Sequence, residues 1–152
     1  MSAPFATEIE WTTLRAIARE LDYPMADAHF ASGGAEANHT AVLAALSHVF
    51  PSVGERGVRA LPADPVAYVS AEAHHSIHKA MRAAGLGEEA LRIVPLDIEQ
   101  RLRVDKLHDL VNADRKAGKV PFLFVVTLGT TSAGTVEPLA PMLTLARKHG
   151  AW

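Results

Sequence analysis

The residues of this chain with the most distinctive chemistry begin at positions 32–38, which read Ser-Gly-Gly-Ala-Glu-Ala-Asn. Two consecutive glycines allow a sharp backbone turn and leave the backbone N–H groups uncovered by side chains. The alanine-rich segment that follows is predicted to be a helix, so its free N–H groups and positive dipole end point into the same space. This is typical of a phosphate-binding loop. The alternative is a plain strand-to-helix turn. No Lys-Ser or Lys-Thr pair follows, which excludes the P-loop of nucleotide hydrolases.

A second chemically distinctive segment, residues 73–76, reads Ala-His-His-Ser and follows a predicted strand that ends at Ser70. An imidazole at the end of a strand can stack on an aromatic cofactor ring or exchange protons with a substrate. His74 and His78 are four residues apart and could share a helix face as metal ligands. No carboxylate completes a His-Glu-x-x-His pattern, so we expect no metal site. A solvated, histidine-rich helix start is the remaining alternative.

The third segment, residues 127–132, reads Thr-Leu-Gly-Thr-Thr-Ser and follows a strongly apolar run. Its hydroxyl groups can bond to a ring substituent of a cofactor or position a substrate carboxylate. A Thr- and Ser-rich turn closed by Gly134 is the alternative. All three segments are expected at the carboxyl ends of strands or at the start of the next helix, where an open α/β sheet binds its ligand.

The elements that must position these segments alternate between helix and strand along the chain. A helix is predicted to begin with a capping box at Thr7 and Glu10 and to end before Tyr23 and Pro24. Further helices are predicted at residues 35–49, 75–84 and 138–149, and from a cap at Asp105 to near Gly118. Strands are predicted at residues 29–31, 66–69, 91–94 and 122–127, and from residue 151 onward. This alternation predicts an α/β fold in which helices flank a parallel-rich sheet.

Composition narrows the possible partners. The 152 residues carry a formal net charge of -2 and no cysteine. The charge pattern has no basic patch, so we expect neither nucleic acid nor a membrane surface as a partner. The absence of cysteine excludes disulfides and thiolate metal sites. The first residues do not have the pattern of a signal peptide, and we expect a cytoplasmic protein.

Together and in this order, the three segments resemble the group II decarboxylases that use pyridoxal phosphate (PLP), a family that includes aromatic amino acid and glutamate decarboxylases. The resemblance covers nearly the whole chain. It rests on residues 30–38, on residues 69–80, and on residues 117–131 with their Pro-Phe and Leu-Gly-Thr-Thr sequences. It implies the large domain of the fold type I PLP-dependent transferases.

The resemblance also implies roles for individual residues. Gly34 and Ala35 would bind the phosphate of PLP through backbone N–H groups. His74 would stack on the pyridine ring, and Thr131 would lie near the ring and its partner aspartate, so that His74 and Thr131 are the implied catalytic residues. Ala35 stands where the family often has Ser or Thr, so one hydroxyl contact to the phosphate is missing. Glu36 and Asn38 match the motif but are given no direct role.

The implied activity is removal of the α-carboxylate of an amino acid as CO2, by a homodimer. Residues 1–152 would form a single, partial PLP-binding large domain. The family places its ring-pairing aspartate just past the position of Trp152, its cofactor-binding lysine further on, and a small domain after that. None of these lies in the 152 residues, so we expect this chain by itself to be inactive. The alternatives are another PLP enzyme of the same fold type, similar to desulfurases or aminotransferases, and a non-catalytic anion-binding module.

Overall fold

A computed structural model describes residues 3–23 and 28–152. Its elements, in chain order, are the helices α1 (Pro4–Glu20), α2 (Gly34–Val49), α3 (Val53–Arg56), α4 (Ser76–Ala83), α5 (Val104–Lys116) and α6 (Leu139–His149), and the strands β1 (Pro65–Ser70), β2 (Leu91–Val94) and β3 (Val120–Phe124). Short 3₁₀ turns cover Val58–Ala60 and Glu88–Ala90. The predicted α/β architecture is confirmed.

The three strands form a parallel sheet in the order β2-β1-β3. Tyr68 at the middle of β1 pairs with Arg92 on one side and Phe124 on the other. The last residues extend the sheet, since Phe124 N–H donates to the Trp152 carbonyl and Trp152 N–H donates to the Phe122 carbonyl, each at 2.9 Å. Residues 151–152, where the sequence predicts the start of a strand, therefore pair with β3, although they are not themselves a strand.

Both faces of the sheet are covered, because alternate residues of β1 point to opposite sides. Ala67 and Val69 pack in one apolar cluster with residues of α2 and α4. Val66 and Tyr68 pack in a second cluster with residues of α5 and α6. Every residue of β1 is buried, as expected for a central parallel strand. The sheet thus lies between two helical layers, and its carboxyl edge is where the three segments emerge.

Helix α1 lies apart from this core and buries none of its side chains among the described residues. The predicted capping box is wrong: the helix already begins at Pro4, which is favoured at a first helical position. Thr7 donates instead to the Ala3 carbonyl, and Glu10 accepts the Phe30 N–H at 2.8 Å. The helix ends at Glu20, before Tyr23 as predicted, while Pro24 lies outside the described residues.

Two other local predictions are also wrong. Residues 29–31, which the structure describes, are not a strand. The Phe30 N–H is used by Glu10 of α1 rather than by a neighbouring strand. Asp105 does not cap α5, because the helix begins at Val104 and the Asp105 carboxylate pairs with the Arg103 guanidinium.

Candidate cofactor-binding site

The first turn of α2 is open to a ligand. Gly33 is the N-cap, and no side chain caps the helix among the described residues. A Cβ atom added at Gly33 or Gly34 would meet nothing within 4 Å. The Gly33 backbone is extended, with φ of 172°, so the turn does not need glycine for its conformation, contrary to the sequence-based argument. The glycines instead leave the N–H groups uncovered, which suits a phosphate.

A carboxylate folds back over the start of this loop. Glu36 Oε2 accepts the Ser32 N–H at 2.6 Å. Hydrogen bonding from Ser32 lowers the pKa of the Glu36 carboxyl below its usual value, so the group is ionised at neutral pH. Ser32 is thereby tied to the first turn of α2, and the loop is held against its own helix.

His74 is oriented by a hydrogen-bonded chain that begins on α2. Asn38 Nδ2 donates to Ser76 Oγ at 2.7 Å, and Ser76 Oγ lies 2.8 Å from His74 Nδ1. The Ser76 N–H also donates to His74 Nδ1, at 3.2 Å. This places Nδ1 as the acceptor and leaves Nε2 on the far side of the exposed ring. The phosphate-loop helix and the histidine segment are therefore joined by side chains.

The neighbouring histidine has different surroundings. His75 stacks on His78, with ring centroids 5.1 Å apart and an interplanar angle of 22°. Among the described residues, His75 takes no part in the hydrogen bonds that orient His74. The two adjacent imidazoles therefore have different partners.

Residues 127–137 form a closed hairpin-like loop, which we call the threonine loop. The Thr130 N–H donates to the Thr135 carbonyl at 3.0 Å, and the Thr135 N–H donates to Thr130 Oγ1 at 3.1 Å. Leu128 and Val136 form an isolated antiparallel bridge. Thr130 is buried by these contacts, whereas Thr131 is exposed at the end of the loop. Of these two adjacent threonines, Thr131 is therefore the one that is exposed to solvent.

The end of the threonine loop is connected to the segment that follows β1. Ser132 Oγ donates to Glu72 Oε2, two residues before His74. Together with the Asn38–Ser76–His74 chain, this contact links all three segments at one edge of the sheet. The segments that contain Gly34 and Ala35, His74, and Thr131 are therefore connected by side-chain hydrogen bonds, while the roles of these four residues stay predictions.

Two buried polar atoms also mark this edge. Within the described ranges, the buried side-chain atoms without a hydrogen-bond partner are Ser70 Oγ and Glu137 Oε1. Ser70 ends β1, and Glu137 bonds to Thr127 just beyond β3. The open helix start and these polar groups fit a ligand that carries a phosphate and hydrogen-bonding ring substituents.

From the sequence alone, no role is predicted for Asn38, Ser76, Glu72 or Glu137. Asn38 was part of the recognised motif, but its partner Ser76 is 38 residues away and only the packing of α2 on α4 reveals the pair. Glu137 gave no signal, since an acidic residue before a predicted helix is most simply explained by the helix dipole.

The described residues, 3–23 and 28–152, lack two kinds of feature. They contain no cluster of three or more His, Cys, Asp or Glu side chains arranged to hold a metal ion. Within the same ranges, no helix is long and apolar enough to cross a membrane.

Comparison with known proteins decides the family. The model of the pyridoxal-dependent decarboxylase conserved domain matches residues 1–152. The chain belongs to this family. Human cysteine sulfinic acid decarboxylase is 32% identical over 151 residues, which are 99% of this chain and 30% of that protein. The family's cofactor is pyridoxal phosphate, and the predicted resemblance is confirmed.

Solved structures of family members match the fold closely. The crystal structure of mouse CSAD in its apo form has a TM-score of 0.93 at 31% identity and covers 99% of this chain and 31% of that chain. Oryza sativa TDC with PLP and tryptamine has a TM-score of 0.85 at 28% identity and covers 99% and 32%. The chain thus spans about 30% of the length of the relatives it matches.

Proposed function

We propose that this chain is the phosphate- and ring-binding part of a PLP-dependent amino acid decarboxylase. The observation that carries the proposal is the Asn38–Ser76–His74 chain of hydrogen bonds, because it fixes an imidazole beside an uncapped helix start. A ring-stacking group and a phosphate site must be held at a set distance to bind one cofactor. Membership of the pyridoxal-dependent decarboxylase family supports this over the desulfurase-like and aminotransferase-like alternatives.

Each predicted site residue has a part in this proposal. Gly34 and Ala35 offer backbone N–H groups at the positive end of α2 to the phosphate. His74 offers a flat ring face to the pyridine ring. The exposed Thr131 hydroxyl lies at the end of the threonine loop, where it can donate to a ring substituent or to a substrate carboxylate. His74 and Thr131 are the proposed catalytic residues of this part of the molecule.

PLP, when bound, supplies an electron sink for the electron pair left behind when a carboxylate leaves as CO2. The residues of this chain contribute binding and orientation. Gly34 and Ala35 at the carboxyl edge of the sheet would hold the phosphate, and the His74 ring would stack on the pyridine ring. Hydrogen bonding from Ser76 keeps His74 Nδ1 occupied, so proton exchange with a substrate would occur at Nε2.

The proposed substrate class is an amino acid. Two relatives differ in the compound associated with them: the human protein is a cysteine sulfinic acid decarboxylase, whereas the Oryza sativa structure holds tryptamine. An acidic and an aromatic amino compound are thus compatible with closely similar folds of this region. The homodimer and the cytoplasmic location stay predictions.

The proposal is tested by comparing His74→Ala with His75→Ala in the complete product of the gene that encodes this chain. Loss of a ring stack should weaken PLP binding by about threefold to tenfold. It should also lower kcat and kcat/KM together, measured as CO2 released from carboxyl-labelled amino acids at saturating PLP. His75→Ala is the matched control, because the same atoms are removed one residue away, and it should stay close to wild type.

Three results would contradict this assignment. A crippled His75→Ala with a near-normal His74→Ala would show that the other imidazole faces the ring. Equal effects of both substitutions would show that neither ring stacks specifically. Binding of inorganic phosphate without any PLP or CO2 release would favour the non-catalytic anion-binding module.

A further inference from the structure

Glu137 is a buried carboxylate beside the candidate site, and none of the ion pairs among the described residues involves it. Its side chain is 2% exposed. Oε2 accepts the Thr127 N–H at 2.7 Å, and Oε1 is one of the two buried atoms without a partner. Burying a carboxylate with a single neutral donor is costly, so its one hydrogen bond must matter to the local structure.

That hydrogen bond lies where the pairing of β1 with β3 would otherwise continue. In a parallel pair, every second N–H of one strand donates to the neighbouring strand. Val125 N–H donates to the Tyr68 carbonyl at 2.9 Å, so the next such donor is Thr127 and its acceptor would be the Ser70 carbonyl. Instead Thr127 donates to Glu137, and the Ser70 carbonyl accepts the Ala73 N–H. Glu137 takes the place of β1 as the acceptor.

The consequence is that β1 and β3 separate at the edge where the site lies. β3 is predicted from the sequence to run to Thr127, yet it ends at Phe124. The Glu137 N–H also donates to the Thr127 carbonyl at 3.1 Å, so the two residues close the base of the threonine loop from both sides. The position of Thr131 at the far end of this loop depends on that closure.

We propose that Glu137 is a positioning residue that ends the pairing of β1 with β3 and holds the threonine loop in its closed form, facing the His74 segment. Its action is through the Thr127 N–H, and it requires an oxygen acceptor rather than a negative charge. That the closed loop helps to bind a cofactor rests on the proposed function, whereas the closure of the loop by Glu137 does not.

The test is hydrogen exchange of backbone amides, measured by NMR on this chain. In the wild type, the Thr127 amide should exchange slowly and show the downfield shift of a donor to a carboxylate. Glu137→Ala should speed exchange at Thr127 and Thr130 by roughly tenfold or more, since the donor loses its partner. Glu137→Gln keeps an acceptor oxygen in the same place and should restore protection to within about threefold of wild type.

Glu72→Ala is the matched control, because it removes another glutamate that bonds to the same loop, at its opposite end. It should leave exchange at Thr127 unchanged. Fast wild-type exchange at Thr127, unchanged protection in Glu137→Ala, or a Gln variant as unprotected as the Ala variant would each overturn the proposal. If Glu137→Ala does not fold, the wild-type and Gln measurements still decide it.

A PLP titration of the complete gene product separates this inference from the proposed function. Weaker PLP binding in Glu137→Ala, but not in Glu137→Gln, supports a loop that serves the cofactor. If the wild type binds no PLP, the proposed function is contradicted, and the exchange measurements alone judge the role of Glu137.

Discussion

Asp114 and Glu137 are both buried carboxylates, 6% and 2% exposed, but their surroundings are opposite. Asp114 on α5 accepts the Tyr68 hydroxyl at 3.0 Å and is held by the Arg92 guanidinium at 2.6 Å and 2.9 Å. Glu137 accepts one backbone N–H and keeps an unpartnered oxygen. The first carboxylate joins two strands and a helix, and the second separates two strands.

The difference separates a part of the domain that contributes to folding stability from a part where polar groups lack protein partners. The Asp114 network satisfies each of its members and couples β1, β2 and α5 on one face of the sheet. Hydrogen bonding to Asp114 also raises the pKa of the Arg92 guanidinium. At the carboxyl edge, buried polar atoms are left unsatisfied, which is common where a protein binds a ligand.

The largest effect is expected from Asp114→Ala, which strips both Tyr68 and Arg92 of their partner. Removing one member of a buried ion pair costs about 3–5 kcal/mol. We expect about 3 kcal/mol in the free energy of unfolding by urea, because the Arg92 side chain stays 23% exposed and can be hydrated. Asp105→Ala on the same helix is the control and should cost under about 1 kcal/mol, since its pair with Arg103 is exposed. Similar losses in both would contradict the comparison.

Glu137→Ala should be milder for global stability. One hydrogen bond is lost, worth about 1–2 kcal/mol, while the burial of a half-satisfied carboxylate is relieved. Urea denaturation of Glu137→Ala beside Asp114→Ala checks this order. A larger loss from Glu137→Ala would mean that the edge of the sheet, rather than the Asp114 network, carries the stability.

Tyr68→Phe tests how much the tyrosine hydroxyl contributes to the Asp114 network. It removes one donor and leaves the Arg92 pair, so we expect a loss of about 1 kcal/mol in the free energy of unfolding at neutral pH. The Phe side chain still stacks on Phe124, whose ring centroid lies 5.0 Å from that of Tyr68. A loss as large as that of Asp114→Ala would show that packing, not the carboxylate, dominates this site.

The same substitution should change the alkaline limit of stability. Burial first, and then the charge of Asp114, raise the pKa of the Tyr68 hydroxyl. The folded protein therefore keeps a proton that the unfolded chain releases near pH 10. This contribution is complete below about pH 10 and is lost as the pH rises further. Between pH 8 and 11, the Tm should fall more steeply with rising pH in wild type than in Tyr68→Phe. Parallel Tm curves would contradict this contribution of Tyr68.

The smallest effect is expected from Ser132→Ala, which removes the exposed contact with Glu72. Surface hydrogen bonds of this kind change the free energy of unfolding by less than about 0.5 kcal/mol. The end of the threonine loop should nevertheless become more mobile, seen as lower NMR order parameters at residues 131–133. A stability loss above 1 kcal/mol would show that the link between the segments is structural.

Much of the fold could be predicted because the relevant signals are local. Alternating apolar strands and helices with terminal glycines give boundaries within one or two residues for α2, α4, α6, β1 and β2. Gly85 and Gly150 both have positive φ, at 76° and 63°, as expected for glycines that end helices. Three wrong predictions, at Thr7, residues 29–31 and Asp105, concern groups that had several nearby hydrogen-bond partners to choose from. The end of β3 was also predicted wrongly, three residues too late.

By itself, the sequence determined the α/β class and the family, because these depend on residue type and order along the chain, and it predicted the three site segments. Only the tertiary structure decided how the segments are joined. Asn38 meets Ser76 and Ser132 meets Glu72 across 38 and 60 residues, through packing of helices and strands that no local pattern encodes. The early end of β3 was decided in the same way, since Thr127 could donate to Ser70 or to Glu137 and only the folded chain brings the carboxylate within reach.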